Sequence, residues 1–275
     1  FCMYPDVKLV VAVHLYGTPG KIDEIREICN AHGALLIEDA AESFGAVYKG
    51  SQTGSFGDWG VISFNGNKII TGSSGGMLLT NCEEDAGKVR KWSTQSREVA
   101  PWYQHEEMGY NYRMSNVIAG VARGQMGCLE EHIAKKRAIY ERYQEGLKEL
   151  PVTMNPYDGE NSEPNFWLSC MAIEPGAMCS QVRGEKEALY IHEPGKSCPT
   201  EILEVLGAFG AEGRPIWKPM HIQPVYRSNG FVTEDRKPLD VGMDIFSRGL
   251  CLPSDIKMKE QEQDAIIEII HRCFL

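Results

Sequence analysis

The sequence lacks the marks of several protein classes. It contains no apolar run near the ~18–20 residues that a membrane-spanning helix needs, which argues against a membrane partner. Basic side chains are outnumbered, with 28 Lys and Arg against 38 Asp and Glu and a net charge of −10, whereas nucleic-acid binding needs a basic face. Residues 1–16 lack the basic start and the cleavage site of a signal peptide. We therefore expect a cytoplasmic protein with no nucleic-acid partner.

Disulfide and metal-binding patterns are missing as well. The nine cysteines are widely spaced and include no C-x-x-C pair, which favours free thiols in a reducing compartment. Neither the cysteines nor the seven histidines show the spacing of metal ligands. We therefore expect no metal cofactor.

The apolar residues that are present alternate between strand and helix patterns. Residues 8–14 form a short β-rich apolar run, which predicts a strand covered on both faces, as in a parallel sheet. Isoleucines at helical spacing follow over residues 22–28, and Gly33 is expected to end that helix. Residues 34–38 form a second run of the strand type. Strand, helix and strand in this order predict a βαβ unit.

The remaining elements extend this pattern into a second region. We predict strands at 59–64, 76–80 and 165–173, and helices at 83–92, 117–126, 130–150, 199–209 and 261–274. Pro151 is the expected hinge. The layout predicts a large α/β domain at 1–126, a linking helix at 127–150 and a small α+β domain at 151–275.

Asp39 is the first candidate functional residue. It follows the predicted strand 34–38, and ligands of open α/β sheets bind at the carboxyl ends of the strands. A carboxylate there suits a metal, a ribose or a protonated ring nitrogen. Asp is equally a favoured N-cap, so the residue could instead begin a helix after the strand.

Lys68 is the second candidate. It lies between the predicted strand 59–64 and a glycine-rich turn at 72–76. An enclosed lysine tends to lose its proton, and a neutral amine is what Schiff-base chemistry needs. A lone lysine is more often exposed on a loop. The turn lacks the G-x-x-x-x-G-K-[ST] pattern, which argues against a nucleoside triphosphatase.

An ordered set of motifs resembles the DegT-type sugar aminotransferases, which are fold type I pyridoxal phosphate (PLP) enzymes. The motifs are His14-Leu-Tyr-Gly17, Glu38-Asp-Ala-Ala-Glu42, Ser63-Phe64, Lys68 with Gly75-Gly76, Gly109-Tyr-Asn-Tyr-Arg-Met114, Arg214-Pro-Ile-Trp-Lys-Pro-Met-His221, Gln223-Pro224 and Cys251-Leu-Pro-Ser254. The resemblance implies an α/β fold of type I, with a mostly parallel central sheet, flanking helices and a smaller α+β C-terminal domain. It favours the functional interpretation of Asp39 and Lys68.

The resemblance also implies roles for residues around the cofactor. Lys68 would hold PLP as a Schiff base and move the proton at the amino-acid α-carbon. Asp39 would pair with the pyridinium nitrogen and keep the ring electron-withdrawing. Ser63 would bind the cofactor phosphate, and Ala41 would lie against one face of the ring.

Two further residues are assigned in the same way. Asn111 would reach the phosphate of a partner subunit's cofactor, which implies a homodimer. Glu42 falls where many relatives carry Gln or His near the cofactor's 3′-oxygen, so it would be protonated or share a proton there. Alone, Ser63 and Asn111 are equally explained as polar residues at the ends of secondary-structure elements, and His14 as a hydrogen-bonded core histidine.

The second region carries the candidate substrate contacts. Lys218 could face the diphosphate of a nucleotide sugar as a point charge, with His221 beside it, although both could instead lie on a solvated loop. The resemblance implies transfer of an amino group from an amino acid, expected to be glutamate, to a nucleotide-diphosphate keto sugar. The expected sugar is of the 4-keto-6-deoxy type, used in surface-glycan or lipopolysaccharide synthesis.

The family's N-terminal segment is not present before the strand at residues 8–14. It normally supplies a first strand, a Gly-Ser or Gly-Thr phosphate turn and an aromatic residue stacked on the ring. We therefore expect the PLP-binding domain to be N-terminally incomplete. A truncated, non-catalytic structural or regulatory partner is the alternative function. A sugar dehydratase of the same fold is disfavoured, because such relatives usually lack the Schiff-base lysine that Lys68 provides.

Overall fold

The structure is a computed structural model that describes residues 1–184, 186–233 and 240–275. The chain forms two compact units. The first contains Phe1–Lys135 and Tyr157–Trp167, and the second contains Lys136–Pro156 and Leu168–Leu275. In the described part of the chain, no helix is both long enough and apolar enough to cross a membrane.

The elements are numbered in chain order. The strands are β1 (Leu9–Val13), β2 (Leu35–Asp39), β3 (Val47–Tyr48), β4 (Ser51–Gln52), β5 (Trp59–Ser63), β6 (Gly76–Leu79), β7 (Val152–Met154), β8 (Ser162–Glu163), β9 (Cys170–Ile173), β10 (Ser180–Arg183), β11 (Ala188–Ile191), β12 (Arg214–Pro215) and β13 (Gly249–Cys251). The helices are α1 (Ile22–His32), α2 (Glu83–Ser93), α3 (Asn116–Gln125), α4 (Leu129–Gly146), α5 (Pro199–Ala208), α6 (Val241–Arg248) and α7 (Glu260–Arg272).

The main sheet of the first unit has the order β1-β2-β5-β6. β1 pairs with β2, and β2 with β5, in parallel, whereas β5 and β6 are antiparallel. The register places Val13 beside Asp39, and Asp39 beside Val61. The carboxyl ends of the three parallel strands therefore lie at one edge of the sheet, where Asp39 ends β2 and Ser63 ends β5.

The predicted βαβ unit is present, and its turn chemistry explains it. Gly33 ends α1 with φ 65°, a left-handed conformation that suits glycine, and its N–H bonds the carbonyls of Cys29 and Asn30. Ile22 and Cys29 bury the inner side of α1 against Leu36 of β2. This packing holds the helix on one face of the sheet.

The expectation that residues 8–14 form a strand covered on both faces is wrong. Leu9, Val11 and Val13 expose 46%, 54% and 51% of their surfaces. Val10 and Ala12 point the other way and pack against the cluster formed with α1. β1 is the edge strand of the sheet, and the period-two alternation of a strand sends only its even-numbered side chains towards α1.

A second cluster of the first unit anchors the segment after β5. It consists of Ala40, Ile62, Phe64, Ile69, Ile70, Ala122 and Leu129. Ile69 and Ile70 are buried directly after Lys68, so the backbone at Lys68 is tied to the core. Burial of two such side chains stabilises this segment by several kcal/mol, at roughly 1.5–3 kcal/mol each.

The second unit is built on an antiparallel sheet with the order β12-β13-β9-β7. Ile173, Ile202, Leu250 and Ile270 are fully buried among its strands and helices. Cys170 and Cys251 are cross-strand neighbours whose Sγ atoms lie 3.6 Å apart, and all nine cysteines are free thiols.

The strand predicted at 165–173 is shorter than expected. Only Cys170–Ile173 is a strand. Phe166 has φ 52°, in the left-handed region that no strand residue adopts, so the chain turns before β9 begins.

Candidate active site

Lys68 lies in a shielded position in the first unit. Its N–H donates to the carbonyl of Asn65 at 3.0 Å, and only 12% of its side chain is exposed. Burial lowers the pKa of its amine below the ordinary 10.5, although the charges of Glu42 and Asp39 act in the opposite direction. The alternative of an exposed loop lysine is therefore wrong.

Asp39 ends β2 at the sheet edge and does not begin a helix. Its Oδ1 accepts the N–H of Ala41 at 3.1 Å, which turns the chain away from the strand. Residues 40–46, all of them described, form bends and turns rather than a helix. The N-cap alternative is therefore wrong, and the carboxylate is placed where its charge acts on Lys68.

Glu42 is the carboxylate nearest to the Lys68 amine. Its Oε1 lies 3.8 Å from Lys68 Nζ, and its side chain is 15% exposed. Its Oε2 accepts the backbone N–H of Tyr16 at 2.8 Å. The Glu42 side chain is therefore aimed at the lysine by the His14-Leu-Tyr-Gly17 motif.

That motif needs an unusual backbone. Tyr16 has φ 56° and Gly17 has φ 88°, both left-handed. A Cβ on Gly17 would lie 1.8 Å from Asn165 Oδ1, so only glycine fits. Asn165 Nδ2 in turn donates to the carbonyls of Glu42 at 2.9 Å and Phe44 at 3.0 Å.

Trp167 is a site residue that the sequence analysis missed. The Lys68 Nζ lies 4.3 Å from the centroid of its ring, within the range of a cation–π interaction. Trp167 Nε1 donates to the carbonyl of Asn67 at 2.7 Å, next to the lysine. Residues 165–173 were predicted to be a strand, and nothing in their local pattern indicated this contact.

His14, directly after β1, and Glu38, in β2, form a buried pair. His14 Nε2 lies 3.0 Å from Glu38 Oε2, and Gly20 N–H donates to His14 Nδ1 at 3.1 Å. With Nδ1 accepting this hydrogen bond, Nε2 is the ring nitrogen that faces Glu38. His14 is thus the hydrogen-bonded core histidine that the sequence allowed.

Glu38 also receives three backbone N–H groups. Gly54 donates at 2.8 Å to Oε2, and Phe56 and Gly57 donate at 2.5 and 2.6 Å to Oε1. Burial raises the pKa of Glu38, but these bonds and the one from His14 outweigh it, and the pKa lies below its ordinary value. Through these hydrogen bonds the ionised carboxylate, which belongs to β2, connects the residue after β1 with the turn before β5.

Ser63 and Ala41 directly continue or follow the strand ends of the main sheet, whereas Asn111 lies elsewhere in the first unit. Ser63 Oγ accepts the N–H of Asn65 at 3.2 Å. Ala41 is next to Glu42 and donates to Asp39. Asn111 is exposed and forms an isolated antiparallel bridge with Thr94. Their contacts with a cofactor stay predictions.

Lys218 and His221 belong to the second unit. His221 Nε2 lies 2.5 Å from Asp240 Oδ2, and its ring stacks on Phe231 with centroids 3.7 Å apart. Lys218 is half-buried, and its carbonyl accepts from Gln223 at 3.3 Å. The segment is therefore a loop with hydrogen bonds of its own, and its contact with a substrate stays a prediction. Within the described residues, no three His, Cys, Asp or Glu side chains are arranged to hold a metal.

The comparison with protein families agrees with this geometry. The DegT/DnrJ/EryC1/StrS aminotransferase family matches residues 3–271. The chain belongs to this family. DegT-family aminotransferases are PLP-dependent, as the resemblance in the sequence implied.

Two curated proteins are similar to the chain over nearly its whole length. It is 41% identical over 270 residues to EpsN of Bacillus subtilis (strain 168), which is named as a PLP-dependent aminotransferase. It is 32% identical over 273 residues to a GDP-perosamine synthase of Caulobacter vibrioides. These matches cover 97% and 98% of the chain, and 63% and 67% of the relatives. The chain thus spans less than two thirds of the length of EpsN.

Solved aminotransferase structures share the fold. The aminotransferase TlmJ from Streptoalloteichus hindustanus superposes with a TM-score of 0.80 at 22% identity, covering 97% of this chain and 65% of that one. A DegT DnrJ EryC1 StrS aminotransferase from Brucella abortus gives 0.79 at 24% identity, covering 97% and 64%. The predicted fold type I class is confirmed.

Proposed function

We propose that the chain acts as a PLP-dependent aminotransferase that moves an amino group from an amino acid to a keto sugar on a nucleotide diphosphate. The observation that carries the proposal is the shielded Lys68 amine, with Glu42 at 3.8 Å and Asp39 acting on it by charge. A lysine whose pKa is lowered by burial is suited to attack a carbonyl carbon.

The residues present fit PLP. When bound, PLP supplies an aldehyde that captures amines and a ring that accepts electrons from the amino-acid α-carbon. Lys68 would capture the aldehyde carbon and later carry the proton at the α-carbon. Asp39 would hold a proton on the ring nitrogen, Ser63 would donate to the phosphate, and Ala41 would leave room for the ring.

The relatives support a nucleotide-sugar substrate. A GDP-perosamine synthase is named for a nucleotide-sugar product, and it is 32% identical to this chain. The spore coat polysaccharide biosynthesis protein SpsC of Bacillus subtilis (strain 168), at 26% identity, supports a role in surface glycans. We infer a 4-keto-6-deoxy sugar as acceptor, glutamate as donor and Lys218 with His221 as substrate contacts. Lipopolysaccharide is one glycan that such a sugar would enter.

We also propose a cytoplasmic homodimer. Asn111 is exposed, and three large hydrophobic residues that follow it in the chain are exposed as well: Tyr112 by 78%, Val117 by 77% and Val121 by 50%. A second copy that covers this surface would bring Asn111 to its partner's cofactor. Sedimentation of the purified protein as a monomer at all concentrations would contradict the dimer.

Covalent trapping tests the cofactor site. We expect protein incubated with PLP and reduced with borohydride to carry the cofactor mass on Lys68, read by peptide mass spectrometry. Lys68→Ala should abolish the labelled peptide, whereas Lys135→Ala, at an exposed helical position, should not. Labelling that persists in Lys68→Ala would show that the assigned lysine is wrong.

Turnover tests the reaction. We expect glutamate to change the absorption of the PLP-loaded protein, and a nucleotide-diphosphate 4-keto-6-deoxy sugar to gain an amino group in the same mixture, read by mass. A folded protein that never traps PLP would favour the alternative of a non-catalytic structural or regulatory partner. Trapping without conversion by any amino donor would contradict the aminotransferase proposal.

A further inference from the structure

We propose that Glu42 is the counter-ion of the Lys68 ammonium and a positioning residue that sets the pH at which this amine becomes nucleophilic. The nucleophilic role of Lys68 rests on the proposed function. The ion pair itself does not, because it is a property of the protein without cofactor. The proposal also gives Glu42 a role different from a contact with the cofactor's 3′-oxygen.

The geometry of Glu42 leaves one carboxylate oxygen facing the amine. Oε1 lies 3.8 Å from Lys68 Nζ, and both side chains are shielded, with 15% and 12% exposed. Oε2 is held by the N–H of Tyr16 at 2.8 Å. The carbonyl of Glu42 is held by Asn165 Nδ2 at 2.9 Å. Side chain and backbone are thus both fixed by groups outside the ion pair.

The two carboxylates near Lys68 are not equivalent. Glu42 is within ion-pair distance, whereas Asp39 acts through its charge, and its Oδ1 accepts from Ala41. The face of the Trp167 ring, 4.3 Å from Nζ, also favours the ammonium. Burial acts against all three. Substitution of Glu42 can therefore remove the charge nearest to the amine while Asp39 stays at the end of β2.

A shielded ion pair has a larger effect on protonation than an exposed one, because water screens it less. An opposite charge within about 4–6 Å shifts a pKa by roughly 1–3 units. In a variant without the Glu42 charge, burial still lowers the pKa of Lys68. The Asp39 charge and the Trp167 ring remain to oppose it. The Lys68 amine of such a variant should therefore be neutral, and reactive, at lower pH.

The test uses cofactor-free protein and an amine reagent. Wild type and Glu42→Gln are treated with acetic anhydride over a pH series, and acetylation of Lys68 is quantified by peptide mass spectrometry, with the exposed Lys8 as internal reference. We expect the midpoint of Lys68 acetylation to fall by about one pH unit in Glu42→Gln. A midpoint that is unchanged or higher would overturn the proposal.

Two further variants separate charge from structure. Glu42→Asp keeps the charge and should have a midpoint above that of Glu42→Gln, which a merely structural role would not produce. Glu131→Gln removes a carboxylate from an exposed helical pair with Lys135 and should leave the Lys68 midpoint unchanged. Urea denaturation of each variant confirms that the amine is measured in folded protein.

PLP is the second probe. The pH at which half of the PLP is trapped on Lys68 by borohydride should fall in Glu42→Gln in parallel with acetylation. If the acetylation midpoint falls in Glu42→Gln but wild type traps no PLP, the ion pair is supported and the proposed function is contradicted. PLP trapping with no shift in either midpoint would leave the function standing and overturn the role of Glu42.

Discussion

Asn165 occupies the space beside Gly17 that any side chain at position 17 would need. A Cβ on Gly17 would lie 1.8 Å from Asn165 Oδ1, and the fully buried Asn165 side chain also bonds the carbonyl of Glu42. The contact connects segments that are far apart in sequence to the carboxylate that faces Lys68. The packing of Asn165 beside the candidate site therefore requires glycine at position 17.

Gly17→Ala should destabilise the protein strongly. The substitution adds a clash to a left-handed conformation with φ 88°, so we expect the free energy of unfolding to fall by at least ~2 kcal/mol. Urea denaturation measures the change. Gly20→Ala is the matched control, because no atom lies within 4 Å of the added Cβ there. Equal stability of the two variants would show that Asn165 can move aside freely.

Glu38→Gln should destabilise the first unit. The amide group replaces one acceptor oxygen of a buried carboxylate that receives His14 and three backbone N–H groups, so at least one buried donor loses its partner. We expect a loss of roughly 3 kcal/mol in the free energy of unfolding. Glu131→Gln, in an exposed helical pair, should change it by about 0.5 kcal/mol or less. Similar losses in both variants would contradict a special role for Glu38.

The same carboxylate should contribute to acid sensitivity. The pKa of Glu38 is lowered from its ordinary 4.5, because its hydrogen bonds outweigh burial. The unfolded chain then binds more protons than the folded one below that value, so the stabilisation is present above about pH 4.5 and is lost as the pH falls. The stability difference between wild type and Glu38→Gln should shrink in this acid range, measured by urea midpoints. A difference that stays constant would contradict the lowered pKa.

Lys136 in the second unit should make stability depend on pH in the same direction, but in the alkaline range. It is half-buried, its Nζ donates to the carbonyl of Ser254, and desolvation lowers its pKa to about 8, with Asp255 opposing. Between about pH 8 and 10.5 the unfolded chain binds the additional proton, so wild type should gain about 3 kcal/mol relative to Lys136→Met as the pH rises through this window. Urea denaturation over this pH range measures the gain. Lys135→Met, an exposed neighbour, should show no such trend.

Much of the framework was predictable from local sequence. Isoleucine spacing and Gly33 located α1, and the apolar runs located β1, β2, β5 and β6 within a residue or two. Such patterns work because each element shows its own periodicity and turn chemistry along the chain. The positions of Asp39 and Lys68 followed, since strand ends are local features and the ordered motifs supplied the family.

Other features could not be predicted because they depend on distant segments. The exposed face of β1 continues on β2 and β5, where Leu35 is 46% and Val61 37% exposed, and an apolar run does not encode which face of a sheet is covered. Trp167 reaches the residue next to Lys68 across 100 residues of chain, and Asn165 reaches Glu42 across 123. The left-handed turn at Phe166, which makes the strand begin later than predicted, is likewise absent from the periodicity.

The sequence by itself determined the α/β class, the order of the elements, the family and the two main candidate site residues, Asp39 and Lys68. Periodicity, turn residues and motif order can be recognised in the sequence without knowledge of the fold. Only the tertiary structure decided what surrounds Lys68: a carboxylate aimed by the Tyr16 amide and an aromatic ring over the amine. The physical reason is that a pKa and a side-chain direction depend on groups within a few ångströms, and the folded path of the chain selects those groups.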